Sequence, residues 1–381
     1  MRKIGVVTGT RAEYGIFKSV LQEIEARKDL KLSLIVIGMH LSPEFGFTVK
    51  EIEEDGFEIE AKIDVLHAED TKASMAKSIG ESVSKIAETL EELKPDVLLV
   101  LGDRSEMLAG AVAATYMGIP IGHIHGGEVS GNVDEPVRHA ITKLAHLHFP
   151  ATKEGAERIL KMGEERWRVH VVGAPSLDLI VNKKMPEPKA IADKYRVDLS
   201  KPMLLVLQHP VVAEADESAS QIRKTLEAVK KLKQQTVLIY PNADAGGRRM
   251  IEVIRKYEDA GFLKTFKSLP HEDYLGLMRL AKVMIGNSSS GIIEAPSFGL
   301  PVVNIGGRQE GRQRAGNVID VGYDTREIVA AVRKALQDRD FRKKVSSCEN
   351  PYGDGKAGKR IVKVLSKVEL GKKLLEKRMT Y

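Results

Sequence analysis

Short apolar runs alternate with longer stretches of helical periodicity from one end of the chain to the other. Lys3–Thr8, Lys31–Gly38 and Asp96–Leu101 read as strands. Beyond Asp96 the third is apolar throughout, as parallel strands covered on both faces are. A helix is expected from about Tyr14. Ala73–Leu93 places Ile79, Val83, Ile86 and Leu90 at helical spacing, and Pro95 ends it. Helix 105–116, strand 119–125, helix 134–146, strand 147–151, helix 153–162 and strand 168–173 continue the alternation.

The pattern breaks at Val181–Lys189, where Asn182-Lys183-Lys184-Met185-Pro186-Glu187-Pro188 is polar and carries two prolines. It then restarts. Strands are expected at 203–208, 236–240, 283–286 and 301–305, with helices near 216–233, 246–260, 271–281 and 289–298. Further helices begin at Arg326 and Phe341, and another runs through the tail. Repeated strand–helix units imply an α/β fold with parallel sheets. The break makes two Rossmann-like domains facing across a cleft: 1–180, and 181–359 with the helix of about 360–381 returning to the first.

At 381 residues the chain is long for one core and sufficient for two. Composition is that of a globular protein, 43% apolar and 29% charged. The apolar run after Met1-Arg2-Lys3 has a strand's length, not a secretory leader's, and no stretch approaches the ~20 apolar residues of a membrane span. The single Cys348 excludes an intramolecular disulfide and a cysteine-based zinc site. A cytoplasmic enzyme is expected. The net charge of +6 is local: residues 356–381 hold nine Lys/Arg and two Glu, so the remainder carries −1. No aromatic-rich basic motif accompanies the charge, so neither a nucleic-acid nor a membrane partner is expected.

The densest chemistry lies between Gly122 and Phe149. This stretch holds five of the ten histidines (His123, His125, His139, His146, His148) together with Glu128, Asp134, Glu135 and Arg138. Polar groups where a strand gives way to a loop and helix suit the crevice at the carboxyl ends of parallel strands. His123-x-His125 would share one face of a strand. Without a third ligand that spacing is weak evidence for a metal, and none is assigned. His146 and His148 read as structural.

Other candidates also sit at strand ends. Arg11, after Gly9-Thr10, could hold a phosphate at a helix start. Asp103 could face the cleft, or cap helix 105–116 and pair with Arg104. His209 ends the first strand of the second half. Gly286-Asn287-Ser288-Ser289-Ser290-Gly291 runs from a strand into a helix, where amides, the Ser288 and Ser289 hydroxyls and a helix dipole could bind a diphosphate. Glu294 could accept from a ribose hydroxyl, and Arg308 could add positive charge. Asn242, in Pro241-Asn242-Ala243-Asp244, could line the cleft or make a turn. No dinucleotide fingerprint is present, so no redox cofactor is expected.

Together these pieces resemble the UDP-N-acetylglucosamine 2-epimerases, and within them the hydrolysing branch that feeds sialic-acid-type biosynthesis. The matching residues are Thr10-Arg11-Ala12-Glu13-Tyr14, Gly102-Asp103-Arg104, Gly126-Gly127-Glu128-Val129-Ser130-Gly131, Asp134 with Arg138–Lys143, Gln208-His209-Pro210, Asn242 with Asp244, Gly286–Ser289 with Glu294, and Gly307-Arg308-Gln309. The resemblance implies the glycosyltransferase-B fold, a UDP-sugar substrate and no cofactor or metal. It also implies a homodimer or homotetramer. UDP would leave C1 as a base takes the C2 proton, and water would add to the resulting glycal to release UDP and N-acetylmannosamine. Asp103 and Asp134 match the family's catalytic carboxylates. Arg11, His209, Arg308, Ser288 and Ser289 match its diphosphate contacts, with Arg138, Asn242, Gly291 and Glu294 in supporting substrate contacts. Where some members carry a glutamate two residues before the Gly-Gly pair, this chain has His125. Either His125 or Glu128 then serves as acid/base, or the sugar is a UDP-linked 2,4-diacetamido-trideoxy hexose. A non-hydrolysing epimerase, a glycosyltransferase of the same fold and a non-catalytic sugar-nucleotide binder are the competing readings.

Overall fold

The computed structural model describes residues 1–65, 71–129, 134–182 and 185–381, leaving aside the side chains of Lys72 and Asp259. Ser130 and Gly131 of the glycine-rich motif, and Lys183 and Lys184 of the expected linker, lie outside the described residues. Strands β1 (Arg2–Thr8), β2 (Leu30–Ile37), β3 (Ile59–Ile63), β4 (Val97–Leu101), β5 (Ile121–Ile124) and β6 (Leu147–Phe149) form one sheet, in the order β3-β2-β1-β4-β5-β6. Strands β7 (Met203–Leu207), β8 (Gln235–Ile239), β9 (Leu263–Phe266), β10 (Val283–Gly286), β11 (Val302–Ile305) and β12 (Val318–Val321) form the other, in the order β12-β11-β10-β7-β8-β9. Every pairing between these strands is parallel. Each sheet therefore has the doubly wound order of a dinucleotide-type fold, written twice in one chain.

Local chemistry explains several boundaries. The first helix, Arg11–Glu25, starts three residues before the position expected from apolar spacing, because Thr10 and Glu13 form a capping box. Helix Lys72–Leu93 is capped in the same way by Thr71 and Ser74. Strand 168–173 is not formed: Arg166–Arg168 make a 3-10 turn, and the residues after it run beside β6 with a single isolated bridge, His148 to Val169, and the amide of Val172 on the Pro150 carbonyl (3.1 Å). Arg168 is instead buried and donates to backbone carbonyls. The helix expected over 289–298 is one α turn, Ser290–Ile293, followed by a 3-10 turn at Ala295–Phe298. Pro296 lacks the amide a continuous helix needs there.

The tail returns to the first sheet as two pieces, Ala357–Lys367 and Lys372–Leu375, and not as one helix through 381. Asp178 accepts the amides of Ala357 (2.9 Å) and Gly358 (2.8 Å). Ile361, Val362 and Leu365 are buried in the first domain's core. Arg168 donates to the carbonyls of Lys373 (3.0 Å), Leu374 (2.7 Å) and Glu376 (3.2 Å), satisfying groups that a helix end leaves open. Lys377 then reaches the carbonyls of Lys143 (2.7 Å) and Ala145 (2.6 Å) and the buried carboxylate of Glu164 (2.8 Å). Burial alone would raise the Glu164 pKa, but His148, Lys143 and Lys377 together hold it down to about 2. Removing one cation from a buried carboxylate is costly. Two other partners remain, so Lys377→Met is expected to lower unfolding stability by about 2 kcal/mol, read as a shift in the urea midpoint. An unchanged midpoint would mean the tail contributes nothing here. Among the described residues no helix is long and apolar enough to cross a membrane.

Candidate active site

In a doubly wound sheet, ligands bind beyond the carboxyl ends of the strands where the order reverses. Those reversals fall between β1 and β4 and between β7 and β10. The four strand ends carry Gly9–Arg11, Gly102-Asp103, Gln208-His209 and Asn287–Ser290. A cavity of about 460 Å³ lies between them, a size typical of small-molecule sites. Arg11, Asp103, His125, Glu128, Asp134, Arg138, His209, Asn242, Ser288, Ser289, Glu294 and Arg308 all line it. Gly291 does not. A side chain there would collide with Val302, so this glycine lets the short helix pack on β11.

On the first-domain wall, β5 ends at Ile124 and His125 takes φ 62°, a left-handed conformation unusual for a residue with a side chain. The two histidines of His123-x-His125 consequently do not pair on one face. His123 is fully buried and contacts the Gly102 carbonyl (2.7 Å) and the Thr142 hydroxyl (3.1 Å). His125 faces the cavity, with Nδ1 2.8 Å from Glu128 Oε1. The other Glu128 oxygen meets Arg312 at 3.3 Å. Burial works to raise the Glu128 pKa, but Arg312 and His125 outweigh it and keep the carboxylate ionised. The Nδ1 proton therefore points at Glu128, and Nε2 is left as the basic nitrogen. Nε2 is buried and has no hydrogen-bond partner among the described residues. An imidazole oriented by a carboxylate, with its basic nitrogen in a cavity, is an arrangement for proton transfer.

Asp103 follows β4 and is paired with Arg138. It does not cap helix Ser105–Tyr116; the cap position is Arg104, with no side-chain bond to the helix amides. Arg138 is 2% exposed, and its other terminal nitrogen donates to the Glu128 carbonyl (3.0 Å). It thus positions two neighbours from the cavity wall. His146 and His148 lie away from the cavity. His146 accepts the Ile121 amide (3.1 Å) and His148 meets Glu164 (3.1 Å).

The second-domain wall is built on β7 and β10. Gly286 has φ 132°, and a side chain there would overlap the Leu207 carbonyl, so glycine alone permits the approach of the two strand ends. Asn287 then clamps His209, accepting its amide (2.7 Å) and donating to its carbonyl (2.9 Å). His209 Nδ1 accepts the Asn242 amide at 3.2 Å, which leaves the ring proton on Nε2. Burial, reinforced by Arg308, pushes the His209 pKa down to about 3, so the ring is a neutral donor at ordinary pH. The Ser288 and Ser290 hydroxyls are 2.8 Å apart. Ser290 also contacts Tyr274, whose ring lies 5.7 Å from the Arg11 guanidinium. With the following helix only one turn long, the groups here able to hold an anion are hydroxyls, amides and arginines, with little help from a helix dipole. Glu294 is 4% exposed; burial raises its pKa, and Oε2 lacks a partner among the described residues.

Among the described residues, the ion pairs that join the two halves at the cavity include Arg104–Asp244 at 2.8 Å, Arg308–Asp134 at 3.3 Å and Arg312–Glu128 at 3.3 Å, while Lys18–Glu272 and Glu44–Arg248 join the halves outside its lining. Arg308 and Arg312 tie a strand-end loop of the second domain to carboxylates of the first, and Arg104 of the first ties to Asp244 of the second. Arg312 was not among the expected site residues, and Arg104 and Asp244 were noted only as parts of motifs. No local pattern marks Arg312. The signal available for it was its place four residues beyond Arg308 in one strand-end loop. Among the described residues no three His, Cys, Asp or Glu side chains gather as a metal site would need.

The family model described as UDP-N-acetylglucosamine 2-epimerase matches residues 22–366. The UDP-N,N'-diacetylbacillosamine 2-epimerase (hydrolyzing) of Legionella pneumophila is 42% identical over 381 residues, spanning 100% of both chains. The UDP-N-acetylglucosamine 2-epimerase of Neisseria meningitidis serogroup B is 34% identical over 335 residues, 88% of each chain. In fold, the crystal structure of a UDP-GlcNAc 2-epimerase from Neisseria meningitidis bound to UDP-GlcNAc matches with a TM-score of 0.81 at 22% identity, covering 96% of this chain and 100% of that one. The two facing six-stranded sheets are thus a glycosyltransferase-B-type fold, and the chain belongs to the UDP-N-acetylglucosamine 2-epimerase family.

Proposed function

We propose that this protein is a hydrolysing 2-epimerase of a UDP-linked 2-acetamido sugar. The observation that carries the reading is the His125–Glu128 pair, which aims a basic nitrogen into the cavity where the loops of β4 and β5 face those of β7 and β10. The C2 proton passes to His125 Nε2, and Glu128 stabilises the imidazolium. The C1–O bond breaks, and the diphosphate leaves towards Arg308, Arg11, the Ser288 and Ser289 hydroxyls and His209 Nε2–H. Such donors stabilise charge as it develops. The Asp134–Arg308 contact links that event to the first domain. Water then adds across the C1–C2 double bond: its oxygen bonds to C1, and Asp103 relays its proton to C2. Inversion at C2 requires the new proton on the face opposite His125, hence a second proton carrier. His125 loses its proton to solvent, so UDP, the free 2-epimer and one proton leave. Asn242 and Glu294 hold the nucleoside end, Glu294 through a ribose hydroxyl.

Two sugars suit this chemistry. UDP-N-acetylglucosamine would yield N-acetylmannosamine for a sialic-acid-type route. The 42% identity with a relative named for UDP-N,N'-diacetylbacillosamine favours a 2,4-diacetamido-2,4,6-trideoxy sugar. Product analysis tests the reaction itself. Stoichiometric UDP and free 2-epimer are expected, whereas a UDP-linked epimer would place the chain with the non-hydrolysing enzymes. Arg308→Ala should weaken UDP binding about 30-fold, the worth of one charge-assisted contact. Unchanged affinity in titration calorimetry would remove Arg308 from the diphosphate site.

A further inference from the structure

One side of the cavity is apolar, and it lies on the first domain beside the carboxylates. Along helix Lys72–Leu93, Ile86 and Leu90 are buried and Val83 packs on the first-domain core. The same stripe continues to Ile79 and Met75, which belong to no core cluster. Both are half-buried and line the cavity. Leu108 and Val137 meet them there from two neighbouring helices, Ser105–Tyr116 and Asp134–Leu144, each keeping its other side on the core. Leu108 is one turn beyond Arg104, and Val137 lies between Asp134 and Arg138. The wall thus flanks the proton-transfer groups on the first domain. Met75 also accepts the Ala245 amide through sulfur at 3.3 Å, which ties the wall to the second domain.

Three aliphatic side chains, and a thioether whose sulfur is engaged by the Ala245 amide, offer nothing to a sugar hydroxyl. A 4-hydroxyl and a 6-hydroxymethyl placed against them would surrender water without a replacement partner. An acetamido methyl at C4 and a methyl at C6 would bury apolar surface there instead. We infer that Met75, Ile79, Leu108 and Val137 form a specificity subsite for the C4–C6 edge of a 4-acetamido-6-deoxy sugar. The inference rests on the cleft acting on a UDP-linked 2-acetamido hexose, as proposed above.

The test compares kcat/KM for UDP-2,4-diacetamido-2,4,6-trideoxyglucose and UDP-N-acetylglucosamine in the full-length protein and in Met75→Gln and Ile79→Gln. An apolar pocket rejects an added hydroxyl by at most about 10²-fold, so a preference of that order for the deoxy sugar is expected. Each variant should lower kcat/KM for the deoxy sugar about tenfold, mainly through KM. UDP-N-acetylglucosamine should be left within about twofold, and UDP affinity should be unchanged. An equal fall for both sugars would show a structural role and overturn the subsite. So would a wild-type preference for UDP-N-acetylglucosamine, or variants that leave the ratio where it was. Turnover of neither sugar by the wild type would overturn the epimerase reading itself, and the subsite with it.

Discussion

His125→Asn is expected to lower kcat about 10³-fold while UDP binds within a factor of about three, the loss typical of removing a positioned acid/base group. Asparagine is the informative replacement because it tolerates the left-handed backbone that His125 occupies at φ 62°, so loss of chemistry is separated from backbone strain. Its amide can still meet Glu128, but it has no basic nitrogen to offer C2. Glu128→Gln should cost less, about 10- to 100-fold, because the imidazole stays in place while its tautomer and its imidazolium lose support. Activity of His125→Asn within threefold of wild type would make His125 structural and return the base to a carboxylate.

Acid should unfold this protein early. Burial is the main cause holding six histidines neutral: His40, His123, His209 and His271 are pushed down to about 3, and His146 and His148 to about 4. In the unfolded chain each titrates near 6.5. Below that pH the unfolded state binds protons that the folded state refuses, so stability falls as pH falls. Glu13 and Glu51 act in the opposite sense. Burial, with Glu106 reinforcing it at Glu13, raises them to about 8 and about 7, so the folded state takes up their protons first. Four groups net then favour unfolding between pH 6 and 5, at about 1.4 kcal/mol per group per pH unit. The resulting loss of roughly 5 kcal/mol compares with a total stability of about 5–15 kcal/mol. Urea midpoints are expected to be nearly flat from pH 8 to 7 and to collapse below 6. A stability at pH 5 within about 1 kcal/mol of that at pH 7.5 would contradict this balance.

The alternation of apolar strands and amphipathic helices, with a polar double-proline break, was enough to give two facing Rossmann-like units. The buried central strands were legible because β4, β7 and β10 are short apolar runs between turns. Three of the four outer strands were not. β3 carries Glu60 and Lys62, β9 is Leu-Lys-Thr-Phe, and β12 contains Asp320; such half-exposed edges read as loop. The stretch 168–173 made the opposite error, since its three valines resemble a strand while only an isolated bridge forms there. In the cavity, Arg11, Asp103, His125, His209, Asn242, Ser288, Ser289 and Arg308 sit where a strand-end motif put them, whereas Asp134 and Arg138 share a helix and Glu294 follows the turn Ser290–Ile293. The division of labour was not visible. That Arg138 serves Asp103 depends on how helix Asp134–Leu144 packs beside the end of β4, and that Glu128 meets Arg312 and Arg308 reaches Asp134 depends on how two distant halves of the chain meet. Sequence spacing carries no information about those encounters.

The most direct measurement is proton NMR of the full-length protein turning over a UDP-linked 2-acetamido sugar in heavy water. UDP-N-acetylglucosamine and its 2,4-diacetamido-6-deoxy counterpart should be run in parallel. The account predicts free UDP and a free 2-epimer whose C2 carries deuterium, because the proton taken by His125 is lost to solvent and the one returned to C2 comes from water. A UDP-linked epimer, or a free sugar that keeps its C2 proton and configuration, would contradict it.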